Sequence, residues 1–163
     1  MKKKIVRLFL VTLLATIFPT SSSVSAHILD GAKEWGGHYY KIFPLPVEWK
    51  NAKKFCENVG GHLATPETSA ENEMLKQMFS KYESIDKCWI GGYCDNSKIW
   101  YWVTGKMITD YFDWYDREPF YKNILFERKY NQEDCKWTTA PHERPYSFIC
   151  EWEKAEDAHE SNL

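Results

Sequence analysis

Four carboxylates, Asp110, Asp113, Asp116 and Glu118, stand close together in the middle of the chain, interleaved with Trp114, Tyr115, Phe120 and Tyr121. Carboxylates among rings can do three kinds of chemistry. They can ligate calcium, which takes six to eight oxygens. They can form the acid and base pair of a glycosidase, whose partners need to be close only in space. They can also rim an aromatic platform that stacks on a sugar or grips a basic protein patch, because rings dominate the centres of interfaces. Other chemistries lack their residues. His142-Glu143 has no second histidine four residues on, as a zinc-protease helix needs, and no Gly-x-Ser-x-Gly elbow or phosphate-cradling glycine loop occurs. Nothing in the spacing sets up a hydrolase pair, so the chain reads as a binder and not an enzyme.

The elements that must position these residues come from periodicity and punctuation. Gly36-Gly37 precede His38 to Phe43, an aromatic and β-branched run that predicts a first strand, stopped by Pro44 and Pro46. Trp49, Ala52, Cys56 and Val59 recur at three- and four-residue steps, which predicts a half-buried helix closed by Gly60-Gly61. Leu63 to Thr65 reads as a short strand ending at Pro66. Thr68 to Glu71 is a capping box for a second helix whose core face is Ala70, Met74, Leu75, Met78, Phe79 and Tyr82. Short strands follow at Cys88–Gly91, Trp100–Val103 and Tyr146–Trp152, with a turn at Asp95-Asn96-Ser97. Trp89, Trp100 and Trp102 are expected in the core. From Gly105 to Pro145 about 40 residues show weak periodicity. Nine aromatics between Tyr111 and Trp137 argue for a functional loop over a disordered one.

The ends read differently. Lys2, Lys3, Lys4 and Arg7 precede an apolar run from Ile5 to Phe18, and Val24-Ser25-Ala26 offers a cleavage site. Residues 1–26 are therefore read as a secretory signal, 27–154 as one domain, and 155–163 as a flexible acidic tail. Without the first segment the chain carries 17 basic and 23 acidic residues, a net charge of about −6, which argues against nucleic acid or an anionic membrane as partner, and no later stretch approaches the about 20 apolar residues that membrane insertion needs. Export favours pairing among the five cysteines. Cys88 and Cys94 are close enough in sequence to bridge locally, Cys135 competes for either, and the odd thiol is available to a disulfide-linked partner through Cys135.

Phe55-Cys56, Gly60-Gly61-His62-Leu63-Ala64, Ala70-Glu71-Asn72-Glu73, Trp89-Ile90-Gly91-Gly92 and Ser147 to Glu151, in this order, resemble the C-type lectin-like domain family over roughly Trp35 to Lys154. The resemblance implies an α+β fold, with two helices, small antiparallel sheets and a long irregular binding loop. It implies a Cys56–Cys150 disulfide, worth about 4–5 kcal/mol at most in the chain-entropy picture. It implies a structural turn at His62 and a loop-core role for Trp114.

Departures from the family fall on its calcium and sugar ligands. The expected Glu-Pro-Asn triplet reads Glu118-Pro119-Phe120, and Trp-Asn-Asp reads Trp137-Thr138-Thr139. Phe120 offers no ion an oxygen, and two hydroxyls replace an amide and a carboxylate. The region after the second triplet, Ala140 to Glu143, lacks the family's cysteine. The expectation is a secreted extracellular module that binds a glycan or protein through Tyr115, Asp116, Glu118, Phe120, Tyr121 and Asn123, with no cofactor. The alternative is a calcium-dependent lectin with a site rearranged onto Asp113, Asp116, Glu118 and Asn123.

Overall fold

The computed structural model describes residues 27–115, 119–129 and 135–154. The segments read above as signal and tail lie outside the described residues. Strands β1 (Lys33–Trp35) and β2 (His38–Val47) form a hairpin in which Trp35 faces His38. Gly36 and Gly37 make its two-residue turn with φ of 61° and 87°. Left-handed backbone at both central positions is what a tight hairpin turn demands, and glycine meets it without strain. The expected stop at Pro44 and Pro46 does not occur. The register shifts between Phe43 and Val47, and in that irregular stretch a proline forfeits no ladder hydrogen bond.

Helix α1 (Trp49–Asn58) buries Trp49, Ala52 and Cys56. It ends at Gly60, whose φ of 80° suits the residue after a helix cap. After β3 (His62–Leu63), helix α2 (Ser69–Ser80) begins with the Thr68 hydroxyl accepting from the Glu71 N–H at 3.2 Å. The other half of the expected box differs: the Glu71 carboxylate accepts from the Glu67 N–H at 3.0 Å. Helix α2 buries Met74, Leu75 and Phe79, but Ala70 and Tyr82 are exposed, and the polar Glu71 and Asn72 are buried in their place.

Strands β4 (Lys87–Cys94), β5 (Trp100–Trp102), β6 (Asn123–Arg128), β7 (Cys135–Ala140) and β8 (Tyr146–Glu153) complete the fold. The eight strands form one mixed sheet, not several small antiparallel ones. Its order is β1-β2-β8-β4-β6-β7, with β3 on β8, β5 on β4, and a parallel pair at β4 and β8. Two of these strands, β6 and β7, fall inside the stretch expected to be irregular. Both faces of the sheet are covered. Ile124 and Phe126 of β6 join Phe79 of α2, while the intervening Leu125 joins Trp49 and Cys56 of α1. Strand β8 alternates the same way, Ile149 on the first side and Phe148, Cys150 and Trp152 on the second.

Glycine is required where β3 and β6 press on β4. A Cβ on Gly91 would lie 2.6 Å from the Leu63 carbonyl oxygen. The Cys56–Cys150 disulfide closes 94 residues and ties α1 to β8. The expected Cys88–Cys94 bridge is corrected: the two residues stand at opposite ends of β4 and are not bonded to each other. Six residues of extended strand separate them by about 20 Å, several times the reach of a disulfide.

Candidate functional site

The turn after β4 builds one wall of a groove. Asp95 Oδ1 accepts from the N–H groups of Ser97 and Ile99 at 2.8 and 2.9 Å, and Lys98 takes a φ of 64°. The short polar side chain of Asp95 thus replaces a backbone partner and makes the tight turn self-contained. The second wall is the segment before β6. It is stitched to the turn by the Cys94 N–H donating to the Lys122 carbonyl at 2.8 Å and by Lys122 Nζ donating to Asn96 Oδ1 at 2.7 Å.

Between these walls lies an open cavity of about 870 Å³, bordered by Trp100, Phe112, Trp114, Tyr115, Phe120 and Tyr121, with Lys98 and Lys122 at its margin. Its floor is anchored in the core. The Trp114 ring meets Trp137 edge-on at 5.5 Å and Trp100 at 5.2 Å. Trp100, expected to be buried, is only partly so, because its outer side forms this floor. Phe120 is 87% exposed and stands edge-on to Tyr121 at 5.0 Å.

The structure separates the residues proposed from sequence. Tyr115, Phe120 and Tyr121 come together at the groove. Tyr115 is also structural: its hydroxyl donates to the Glu127 carbonyl at 3.0 Å, and Lys129 Nζ sits 3.8 Å from its ring centre. Asn123 is 7% exposed, held on β6 opposite Ala140. Asp116 and Glu118 lie outside the described residues. Asp113 turns inward, accepting from Asn72 Nδ2 at 2.8 Å and pairing with Lys76 at 2.9 Å. Phe112 and Lys122 were missed; the only hint was the density of rings, which does not say which ring faces out.

Thr139, the last residue of the Trp137-Thr138-Thr139 triplet, accepts at Oγ1 from the N–H groups of Phe120 and Tyr121 at 3.1 and 2.9 Å. The hydroxyl therefore closes the loop onto β7 directly. Among the thiols, Cys88 is fully buried, and Cys135 is 5% exposed at the start of β7, which takes it away from an external partner. Cys94 is the accessible one, at the groove margin. Burial raises the pKa of Cys94, with Asp95 adding to it, and burial raises that of Cys88 further.

A second cluster is formed by residues that do not line the groove. Tyr40 Oη, which can donate to one carboxylate at a time, lies 2.9 Å from Glu71 Oε1 and 3.4 Å from Glu151 Oε1. Glu151 Oε2 also accepts from the Thr65 N–H at 2.8 Å. Burial pushes the Glu71 carboxyl up to about 7, with the charge of Glu151 as the next cause, and burial raises Glu151 too. Burial and the two neighbouring carboxylates raise the Tyr40 phenol.

The model of the family described as lectin C-type domain matches residues 46–155. One of the two chains of the snaclec coagulation factor IX/factor X-binding protein of Echis carinatus is 32% identical over 136 residues, 76% of this chain and 98% of the relative. The calcium-independent C-type lectin SPL-2 from Saxidomus purpuratus superposes with a TM-score of 0.70 at 22% identity, over 77% of this chain and 94% of that one. Human lithostathine gives 0.68 at 21% identity, over 76% and 89%. The fold is that of a C-type lectin, and these relatives are non-catalytic.

Proposed function

This chain belongs to the lectin C-type domain family, and we propose that it is a secreted, non-catalytic module that grips an extracellular ligand through the Phe120-Tyr121 groove without calcium. One observation carries the reading: the loop bearing Phe120 and Tyr121 is fastened by the Thr139 hydroxyl, and its rings are left facing solvent. A large exposed ring on a rigid support costs little entropy when it is buried by a ligand, which is how aromatic anchors contribute to interfaces.

We favour a protein ligand. The groove wall is mainly aromatic, its described charged residues are Lys98 and Lys122 with Asp95, and the Echis carinatus relative is named for binding two coagulation factors. A glycan is the second reading, favoured by the open ring of Phe120 as a stacking face. Secretion rests on the basic and apolar start of the chain, Lys2 to Phe18.

The test is retention of the oxidised protein on arrays of extracellular proteins and of glycans, with a calcium chelator present throughout. Retention by wild type and its loss in the Phe120→Ala, Tyr121→Ala double variant is the expected outcome. Retention that appears only when calcium is restored, or that survives the double substitution, overturns the proposal.

A further inference from the structure

The sheet register gathers a second set of side chains far in sequence from the groove. On β8, Glu151 and Glu153 are two residues apart and so project from the same face. His38 at the start of β2 is the register partner of Glu153, and His62 on β3 is the partner of Glu151. Two imidazoles from flanking strands therefore lean over two carboxylates of the strand between them.

The distances are those of a ligand set. His38 Nδ1 lies 2.9 Å from Glu151 Oε1 and 3.3 Å from Glu153 Oε2. His62 Nε2 lies 3.9 Å from Glu153 Oε1. A tetrahedral zinc ion with ligands at about 2.0–2.1 Å holds neighbouring ligand atoms about 3.3–3.5 Å apart. Each ring is also poised correctly. His62 Nδ1 lies 2.9 Å from the Leu63 carbonyl; a proton there leaves Nε2 with its lone pair toward Glu153, the usual way a ligating histidine has its tautomer fixed. His38 Nδ1 is buried and makes no hydrogen bond, although two carboxylate oxygens lie close by. Glu151, 3% exposed at its side chain, has no Lys or Arg partner among the described residues.

We infer that His38, Glu151 and Glu153, whose ligand atoms all lie within 4.8 Å of one another, form a binding site for a transition-series divalent cation of the zinc class, with His62 beside it. Mixed imidazole and carboxylate donors suit zinc, copper or nickel, whereas calcium takes an all-oxygen shell. The site opens into a cleft of about 360 Å³ that also holds Tyr40, Thr65 and Glu71. A cation there fastens the first long strand, β2, to the last, β8, and to β3. Glu153, 71% exposed, leaves one side of the ion accessible.

The experiment is a titration of the oxidised, chelator-stripped protein with zinc by calorimetry, and with cobalt(II) by visible absorption. Glu153→Gln tests an exposed ligand whose loss leaves the core intact, and His38→Gln tests the unpartnered nitrogen. The expected result is one equivalent of zinc with a raised Tm, weakened by about tenfold or more in each variant. Cobalt spectra should lack thiolate charge transfer, and calcium should not displace the ion. No saturable zinc binding, binding unchanged in either variant, a thiolate band pointing to Cys94, or displacement by calcium overturns the site.

Discussion

The indole N–H of Trp137 donates to Asn72 Oδ1 at 2.8 Å, both residues fully buried, joining strand β7 to helix α2 across 65 residues of chain. The amide of Asn72 passes the link on, donating from Nδ2 to Asp113 Oδ2 at 2.8 Å. The backbone N–H of Trp137 donates to the Asp113 carbonyl at 2.7 Å. One asparagine thus fixes the strand beneath the groove and the loop that enters it. Asn72→Leu keeps the approximate volume but strands the buried Trp137 N–H and takes one hydrogen bond from Asp113, which keeps Lys76. Denaturant unfolding should show a loss of about 2–3 kcal/mol, and a change under about 0.5 kcal/mol would mean that water or a neighbour replaces the amide.

Thr139 makes the corresponding link at the other end of the loop. Replacing it with valine keeps the β-branched shape and removes the acceptor of two N–H groups. Amide exchange at Phe120 and Tyr121 should speed up by about tenfold or more, with a global loss of only about 1 kcal/mol. Unchanged exchange at both amides would show that the hydroxyl does not hold the loop.

The sequence conveyed the frame of the fold and only part of the site. Helical spacing at Trp49, Ala52 and Cys56, and a capping hydroxyl at Thr68, are local signals, and both helices formed where they pointed. Strand β6 was hidden because Ile124, Leu125 and Phe126 are all buried, one layer on each face of the sheet. A strand covered on both sides shows no alternation. The pairing of Cys88 with Cys94 looked local only because sequence separation does not reveal an extended strand. Phe120 and Tyr121 were legible as rings of the loop, though not as rings that face solvent, and Asp113 was not legible as a structural anchor, since Asn72 and Lys76 reach it from a distant helix.

Stability should depend on pH through Glu71. Its folded pKa is about 7 against an ordinary 4.5. Between those values the unfolded chain has released this proton and the folded chain retains it, so folding takes up a proton. The associated stability is fully present below about pH 4.5, is lost as pH rises toward 7, and levels off above it. The loss amounts to about 3 kcal/mol at most, and Glu151 acts in the same direction. In chelator, Glu71→Gln should flatten the fall in unfolding free energy between about pH 5 and pH 8. Parallel curves for wild type and variant would contradict the assignment.

Thiol labelling of the native protein should single out Cys94 over Cys88. Cys94 borders the groove, whereas Cys88 is sealed between the sheet and α2. A neutral alkylating reagent followed by peptide mapping should modify Cys94 first, and slowly, because its raised pKa leaves little thiolate at neutral pH. Cys88 should react only after denaturation. Equal labelling of the two in the folded state would contradict the burial described.

The central claim is that the binding loop is built by the protein's own contacts and not by an ion. Amide hydrogen exchange across residues 105–122, measured on wild type in calcium and again in chelator, tests it most directly. The same protection in both conditions, including at Phe120 and Tyr121, is the predicted result. Protection of those amides that appears only with calcium would contradict it and return the loop to ion-dependent recognition.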